Sequence, residues 1–307
     1  MAATEVMRGA SSKPQSYRWR EIYKARWAYL FISPFFILFA IFGLYPLLFS
    51  IFLSFNDWKG VGPMQWVGLD NFQRLLSDTV FWQAIQNGFI LLLMYVPALL
   101  FLALVLAVIL NSNYVRGFRI FRTLIFLPFI TNMVAAGFAF RILFTMNNGF
   151  VNVALGYIGI PPVPWLESIW GARIALSLLI IWAWLGYNMV IMLAGLQTIP
   201  HDLTEAALVD GATPVRAFFA ITIPLMQPVI LFCLITSTIG SFGLFAEVAA
   251  LTGGGPVNAT ITPLIRIFNT AFRSLQFGYA SAMAYVFFAM IFLVTLLQVR
   301  FFGREQA

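Results

Sequence analysis

Few side chains in this 307-residue sequence could do covalent chemistry, and they do not assemble into a recognisable set. His201 is the single histidine and Cys233 the single cysteine. A metal site or a Ser-His-Asp triad needs several such groups in one place. The sequence therefore predicts no enzyme, no catalytic residue, no metal and no other cofactor. Cys233 has no second cysteine with which to form an intrachain disulfide.

The acidic residues offer a clearer pattern, because three of the eleven stand in the segment 199–219. These three are Asp202, Glu205 and Asp210. Asp202 three residues ahead of Glu205 fits a capping box, and acids in a first turn suit the helix dipole. Gly211 suits a left-handed helix end, and Thr213 followed by proline suits the start of a second helix. The segment predicts a short helix, a glycine turn and another short helix.

The first of these short helices carries apolar residues where a simple connector would be polar and flexible. They are Ala206, Ala207, Leu208 and Val209. Exposed apolar surface on a short, capped helix favours docking to a partner protein. The alternative is an amphipathic helix that lies on the membrane interface.

The amino-acid composition indicates whether the chain lies in water or in a lipid bilayer. Hydrophobic residues make up 61% of it and charged residues 9%, with a mean hydropathy of +0.90. Soluble domains are about 45–50% apolar and about 25% charged, so this chain is predicted to be an integral membrane protein. The net charge of +7 comes mostly from basic residues between apolar runs. That distribution is typical of topology signals and not of nucleic-acid binding.

Six apolar runs are long enough to cross a bilayer core of about 30 Å. They cover residues 29–55, 85–110, 123–144, 172–196, 223–245 and 279–302. The first run is too long for a signal peptide. The predicted fold class is therefore an all-α integral membrane protein with six transmembrane helices.

Orientation follows from the basic residues, which concentrate on the cytoplasmic side of a membrane. If the N-terminus is cytoplasmic, twelve of the 18 basic residues fall in cytoplasmic segments. These are Arg8, Lys13, Arg18, Arg20, Lys24, Arg26, Arg116, Arg119, Arg122, Arg216, Arg300 and Arg304. Both termini are thus predicted to be cytoplasmic. The expected organisation is a leader at 1–28, a membrane domain at 29–302 with a cytoplasmic segment at 197–222, and a tail at 303–307; the external segments are 56–84, 145–171 and 246–278.

Several short motifs in the sequence resemble those of a known protein family. Glu205-Ala206-Ala207, then Asp210-Gly211-Ala212 and the residues 221–224, resemble the EAA signature of inner-membrane permease subunits of bacterial ABC importers. Residues 67–72, 251–256 and 277–282 resemble the carbohydrate-importing, maltose-type branch of that family. The resemblance covers about residues 29–302.

The resemblance implies how the segment 197–222 works. It implies a coupling helix between transmembrane helices 4 and 5 that docks on an ATP-binding subunit. Glu205 would offer its carboxylate to a basic residue of that subunit. Gly211 would permit the turn, and Ala206, Ala207 and Asp210 would complete the docking surface.

The resemblance also implies a substrate site between spans four and five. A carbohydrate site needs aromatic faces and neutral hydrogen-bonding groups. The implied substrate-binding residues are Trp182, Leu185, Gly186, Ser237, Gly240, Ser241 and Leu244. Glu247 does not come from the resemblance. It is included because it is the only acid near the end of span five and could accept hydrogen bonds from substrate hydroxyls. Ser241 and Leu244 stand where the family pattern expects asparagines, which argues against binding of maltose in the same way.

The expected function is half of an ATP-driven import pathway for a sugar or small oligosaccharide in the bacterial cytoplasmic membrane. The implied partners are a second related permease subunit, two cytoplasmic ATP-binding subunits, an extracytoplasmic solute-binding protein, membrane lipid and the carbohydrate. The second permease subunit could also be a copy of this chain, which would make a homodimer.

Two competing functions stay open at this point. One is a permease of the same family for a non-sugar solute such as glycerol phosphate. The second is a stand-alone secondary transporter or channel. Secondary transporters usually carry ionisable residues in their spans, and apart from Glu247, Arg141 and the residues Arg173 and Arg300 at span ends this chain has none there.

Overall fold

The structure, a computed structural model, describes residues 24–112 and 117–302. The predicted cytoplasmic residues Arg8, Lys13, Arg18, Arg20, Arg116 and Arg304 lie outside the described residues. The chain divides into two compact units, 1–53 and 54–307.

The first unit holds the first predicted span. Helix α1 covers Arg26–Phe39, a π-helical turn covers Ala40–Leu44, and helix α2 covers Tyr45–Ser54. Together they form one apolar helical stretch of 29 residues. At about 1.5 Å per residue this stretch is longer than the bilayer core is thick.

The second unit contains the other helices and one small antiparallel hairpin. The hairpin strands are β1 (Asn56–Asp57) and β2 (Gln65–Trp66). The helices are α3 (Asp70–Leu76), α4 (Thr79–Asn111), α5 (Phe118–Phe126), α6 (Met133–Leu143), α7 (Phe150–Gly156), α8 (Ile169–Leu196), α9 (His201–Val209), α10 (Pro214–Ala217), α11 (Ile223–Phe242), α12 (Ala246–Leu251), α13 (Pro263–Phe268) and α14 (Phe277–Phe302). Short 3-10 or π-helical turns cover Leu127–Ile130, Phe218–Thr222 and Asn269–Arg273.

The centre of this unit is the pairing of α4 with α8. Small residues such as Ala103 and Ala183 are fully buried along these two helices, so the backbones approach closely. Gly186 of α8 extends this to α5, because a Cβ at that position would overlap the backbone carbonyl oxygen of Ile125. Helices α4, α5 and α8 thus pack with their backbones in close contact.

Five helices in the described part of the chain are long and apolar enough to cross a membrane, or up to six if a bent pair counts as one span. The bent pair is the predicted third span. Its halves, Phe118–Ile130 and Met133–Leu143, meet at 96°. Pro128 lies in the 3-10 turn before the bend, and the Asn132 side chain accepts hydrogen bonds from the first backbone N–H groups of α6. The span predicted over 123–144 is therefore a pair of helices with a sharp bend between them.

The predicted fifth span, 223–245, ends three residues early in the structure. Helix α11 ends at Phe242, and after three residues α12 begins at Ala246. Helix α12 is mostly buried and packs against α6, where a Cβ on Gly137 would lie 2.5 Å from the Ala250 Cβ. The segment 246–278, predicted to be external, thus begins with a buried helix.

The close approach at Gly186 gives a testable stability difference. Gly186→Ala should lower the free energy of unfolding by about 1–3 kcal/mol, because overpacking forces the backbones of α5 and α8 apart. Gly240→Ala is the matched control, since no atom lies within 4 Å of its added Cβ. Thermal melting of the two purified variants in one detergent compares them. Equal melting temperatures would contradict the packing assigned to Gly186.

Candidate functional site

A cavity of about 410 Å³ opens between the central helices where α11 ends. Its walls come from α4, α8, α11 and the break before α12. The lining residues are Tyr95, Leu99, Trp184, Tyr187, Asn188, Thr236, Ser237, Ile239, Gly240, Gly243, Leu244 and Glu247. The volume falls within the range of small-molecule sites, about 300–1,000 Å³.

One wall of the cavity is aromatic. The Tyr187 ring stacks on Phe129 with ring centroids 4.8 Å apart, and Trp184 meets both rings edge-on at 5.2 Å and 5.8 Å. Phe129 lies in the 3-10 turn of the broken third span. Rings locked against one another in this way offer fixed apolar faces at little cost in conformational entropy.

Two buried side chains at the cavity, Asn188 and Glu247, carry acceptor oxygens. Asn188 is 2% exposed, and its Oδ1 atom has no hydrogen-bond partner, while its Nδ2 donates to the Trp184 carbonyl at 3.1 Å. Glu247 is 7% exposed and lines the same space. A buried acceptor without a donor costs free energy. The hydroxyl groups of a ligand in the cavity are suitable donors for carboxylate and amide oxygens.

The break between α11 and α12 forms part of the cavity wall. Residues 243–245 separate α11 from α12, and the Leu244 carbonyl freed by the break accepts a hydrogen bond from the Thr262 hydroxyl at 2.6 Å. Gly240 has open space where a Cβ would stand. Unwound backbone is tolerated at membrane depth where it lines a cavity or is covered by protein.

The structure brings four of the eight implied substrate residues to the cavity: Ser237, Gly240, Leu244 and Glu247. The other four lie elsewhere. Trp182 packs its ring on Phe140 at 5.3 Å, and Gly186 faces the α5 backbone. Leu185 packs into the hydrophobic core, and the buried Ser241 hydroxyl donates to the Gly88 carbonyl at 3.2 Å.

Three α8 residues at the cavity were not among the implied substrate residues. Trp184, Tyr187 and Asn188 line the cavity at the spacing i, i+3 and i+4. The implied α8 residues have the same spacing two positions earlier: Trp182, Leu185 and Gly186. Two positions rotate a side chain by about 200° around a helix, so the two trios face opposite ways. An aromatic-aromatic-amide face at i, i+3 and i+4 was the sequence signal for the side of α8 that lines the cavity. Tyr95 on α4 carried no comparable signal.

At the other end of α11, the segment 197–222 forms the predicted helix, turn and helix. Gly211 has φ of +86°, and the backbone N–H groups of Gly211 and Ala212 donate to the carbonyls of Leu208 and Ala207. This pattern is the left-handed helix end that glycine favours. The Thr213 hydroxyl accepts from the Arg216 N–H, as predicted for a helix start. The capping box does not form, because α9 begins after Pro200 and Asp202 lies in its first turn.

Helix α9 is almost wholly exposed. Glu205 and Ala206 are exposed, Ala207 is half-buried, and Val209 is 87% exposed. Asp210 is the residue at which the helix ends. The chain continues through α10 and the π-helical turn directly into α11. Helix α9 therefore presents exposed apolar and acidic groups. The chain connects it, through the Gly211 turn and α10, to α11 in the cavity wall.

A charged cluster joins helix ends on the side of the cavity remote from α9. The Asp78 carboxylate accepts hydrogen bonds from Arg266 at 2.7 Å and from the Tyr279 hydroxyl at 2.8 Å, and it also caps α4 through the Phe81 N–H. The Arg74 guanidinium lies 4.0 Å from the centre of the Tyr279 ring. Burial acts to raise the pKa of Asp78, but the hydrogen bonds outweigh it and hold this pKa below its usual value.

A second polar cluster fixes the glycine-rich loop 252–262. The Asn87 Nδ2 donates to the carbonyls of Asn258 and Ile261, and Arg173 donates to the Ala259 carbonyl and to Asn87 Oδ1. Val257 at the tip has φ of +47° and is 82% exposed. A β-branched residue with positive φ is strained. The cluster thus holds a strained loop that projects an apolar side chain outward.

Comparison with known proteins identifies the class. Residues 79–305 match the family described as binding-protein-dependent transport system inner membrane component, and the chain belongs to this family. The chain is 41% identical over 276 residues to the lactose transport system permease protein LacF of Rhizobium radiobacter, covering 88% of this chain and 92% of that protein. It is 34% identical over 279 residues to the arabinooligosaccharides transport system permease protein AraP of Halalkalibacterium halodurans, covering 90% and 87%.

The fold also matches a solved structure. A chain of a bacterial ABC transporter involved in the import of the acidic polysaccharide alginate superposes with a TM-score of 0.79 at 23% identity, covering 95% of this chain and 100% of that chain. These matches confirm the predicted permease family, the inner-membrane location and the role as a transport subunit and not an enzyme. Within residues 24–112 and 117–302, no group of three or more His, Cys, Asp or Glu side chains could hold a metal ion.

The Asp78 cluster yields a prediction with a pH signature. Asp78→Ala should lower the free energy of unfolding at pH 7 by about 2 kcal/mol, because Arg266 and Tyr279 lose a charged acceptor. Since the pKa of Asp78 is depressed in the folded protein, its stabilising contribution is present at neutral pH and disappears as the pH falls through the depressed value. The melting temperatures of the wild type and of Asp78→Ala should therefore converge at acidic pH. Asp70→Ala, at an exposed residue of α3, is the control. A constant difference across pH would contradict a role for the Asp78 charge.

Proposed function

We propose that this permease forms half of the translocation pathway of an ATP-driven importer for a sugar or small oligosaccharide. A second related permease subunit supplies the other half, two cytoplasmic ATP-binding subunits supply the energy, and an extracytoplasmic solute-binding protein delivers the carbohydrate. The relatives named for lactose and arabinooligosaccharide transport support the substrate class.

One observation carries this proposal. The cavity combines a fixed aromatic wall with the unpartnered Oδ1 of Asn188 and the buried carboxylate of Glu247. Sugar rings stack their C–H faces on aromatic rings and donate hydroxyl hydrogens to such acceptors. The substrate-binding set we propose is Ser237, Gly240, Leu244 and Glu247 from the implied residues, joined by Tyr95, Trp184, Tyr187 and Asn188.

The charge of the cavity argues against an anionic solute such as glycerol phosphate. Among the described residues that line it, Glu247 carries the only formal charge. A phosphate would meet a carboxylate with no arginine or lysine to compensate, and like charges in a low-dielectric site repel strongly. A neutral polyhydroxyl solute avoids this cost.

We propose a cytoplasmic location for both termini and for the segment 197–222, with a leader at 1–28, a permease domain at 29–302 and a tail at 303–307. The distribution of basic residues supports this orientation. The loop 252–262 would then face the extracytoplasmic side. Its exposed, strained tip at Val257 supports it as a contact for the solute-binding protein.

The exposed helix α9 is the proposed coupling helix. Glu205 offers a carboxylate, Ala206 and Ala207 permit close approach, and the Asp210-Gly211 turn fixes the direction of the next helix. Docking into a cleft of the ATP-binding subunit would move α9 as a rigid body, and α11 would transmit the motion to the cavity wall. Such hinge motion around a fixed site gives alternating access.

The cavity proposal predicts a change in apparent affinity. Glu247→Gln should raise the KM for uptake about tenfold, because a charged acceptor becomes a weaker, neutral one. Uptake of labelled lactose and labelled arabino-oligosaccharides by the complete importer measures this. Glu167→Gln, at an exposed residue remote in sequence from the cavity, is the matched control. Equal KM values in both variants for a transported sugar would remove Glu247 from the site.

The coupling proposal predicts loss of uptake with normal insertion. Glu205→Lys reverses the docking charge, and Gly211→Pro cannot adopt φ of +86°. Both should reduce sugar uptake by more than about tenfold while membrane abundance stays normal. Glu167→Lys repeats the charge reversal away from α9. Normal uptake by the Glu205 and Gly211 variants would refute docking through α9.

A further inference from the structure

Helix α5 combines basic and apolar side chains on an exposed surface. Arg119 and Arg122 are exposed, and so are the neighbouring Ile120 and Leu124, at 66% and 58%. Among the described residues, neither guanidinium forms an ion pair. Two like charges one helical turn apart thus stand beside apolar surface without an acidic partner.

Two shallow cavities run along this surface. One, of about 280 Å³, is lined by Arg119, Ile120, Thr123 and Leu124. The other, of about 190 Å³, lies between helices, lined by Arg122, Thr123 and Phe126 of α5 and by Val190 of α8. Each cavity joins one arginine to apolar side chains, and Thr123 belongs to both. The combination suits a ligand with an anionic head and an apolar tail.

The depth of the site in the membrane fits the same kind of ligand. Val190 lies six residues before the end of α8 at Leu196, which is about 9 Å along the helix axis. The arginines therefore stand near one end of a span, and long basic side chains there reach the headgroup region. Phe126 and Leu124 continue from there toward the hydrocarbon core.

We propose that Arg119 and Arg122, with Thr123 between the two cavities, form a binding site for the phosphodiester of an anionic phospholipid, with an acyl chain along Ile120, Leu124 and Phe126. A guanidinium matches phosphate oxygens in bidentate geometry. The Thr123 hydroxyl donates to the Arg119 carbonyl at 2.9 Å, so the two arginines supply the donors. Basic pockets between membrane helices are suited to such headgroups. The site is independent of the substrate cavity and of the transported solute.

The test uses the full-length chain with its co-purifying subunits in mild detergent. Native mass spectrometry measures retention of added phosphatidylglycerol and of phosphatidylcholine. The wild type should retain phosphatidylglycerol preferentially, and R119Q/R122Q should bind it about thirtyfold more weakly, at about one kcal/mol per arginine. R141Q/R273Q removes two exposed arginines elsewhere and should bind like the wild type.

Three outcomes of this measurement would overturn the site. They are equal losses in the two double variants, equal retention of phosphatidylcholine, and full displacement of the lipid by inorganic phosphate. The last would assign the arginines to a free phosphate ion.

A second measurement keeps both arginines and so does not depend on the folding of the charge variants. A fluorophore on Phe121→Cys, an exposed α5 position that lines neither cavity, is placed in vesicles of phosphatidylcholine with a fifth phosphatidylglycerol. It should be quenched more by brominated phosphatidylglycerol than by brominated phosphatidylcholine. Equal quenching by the two lipids would contradict the site. Absence of quenching by either lipid would show that a protein surface covers α5 and would also refute it.

Discussion

Every backbone N–H and C=O group within the hydrocarbon core needs a partner, and the fold depends on how this requirement is met at two breaks between helices, the one before α6 and the one before α12. The first N–H groups of α6 are capped by Asn132, and the Leu244 carbonyl is satisfied by Thr262. The two short helices that follow the breaks, α6 and α12, pack together at Gly137 and Ala250. The helices after the two breaks thus cover each other, and the break before α12 forms part of the wall of the substrate cavity.

The two ends of the helix bundle are stabilised in different ways. Around the glycine-rich loop, Asn87 and Asp78 each bind several groups from distant parts of the sequence, so this end is cross-linked by buried polar contacts. At the other end, α9 buries none of its residues and is held mainly by chain continuity. Cross-linking gives a fixed reference frame, whereas an exposed helix needs a partner for its position. This asymmetry is what a subunit requires if force enters at one end and the solute at the other.

The sequence predicted the apolar spans and the short helices of the segment 197–222 well, because both follow from local rules of hydropathy and helix termination. The breaks were harder to predict. Proline is common in membrane helices, so Pro128 by itself does not predict the 96° bend. The cavity face of α8 depended on rotation about the helix axis. In a helix that is apolar all round, composition does not distinguish Trp182 from Trp184, and the choice is made by contacts with Phe129 and Phe140.

The continuous helical stretch Pro214–Phe242 gives the molecule a lever. With 29 residues it is about 43 Å long, and it joins the Gly211 turn at one end to the glycines of the cavity wall at the other. A tilt of about 5° around one end displaces the other by about 4 Å, which exceeds the radius of a water molecule. If α9 docks as proposed, a small reorientation of it would be amplified along this helix into an opening of molecular size at the cavity.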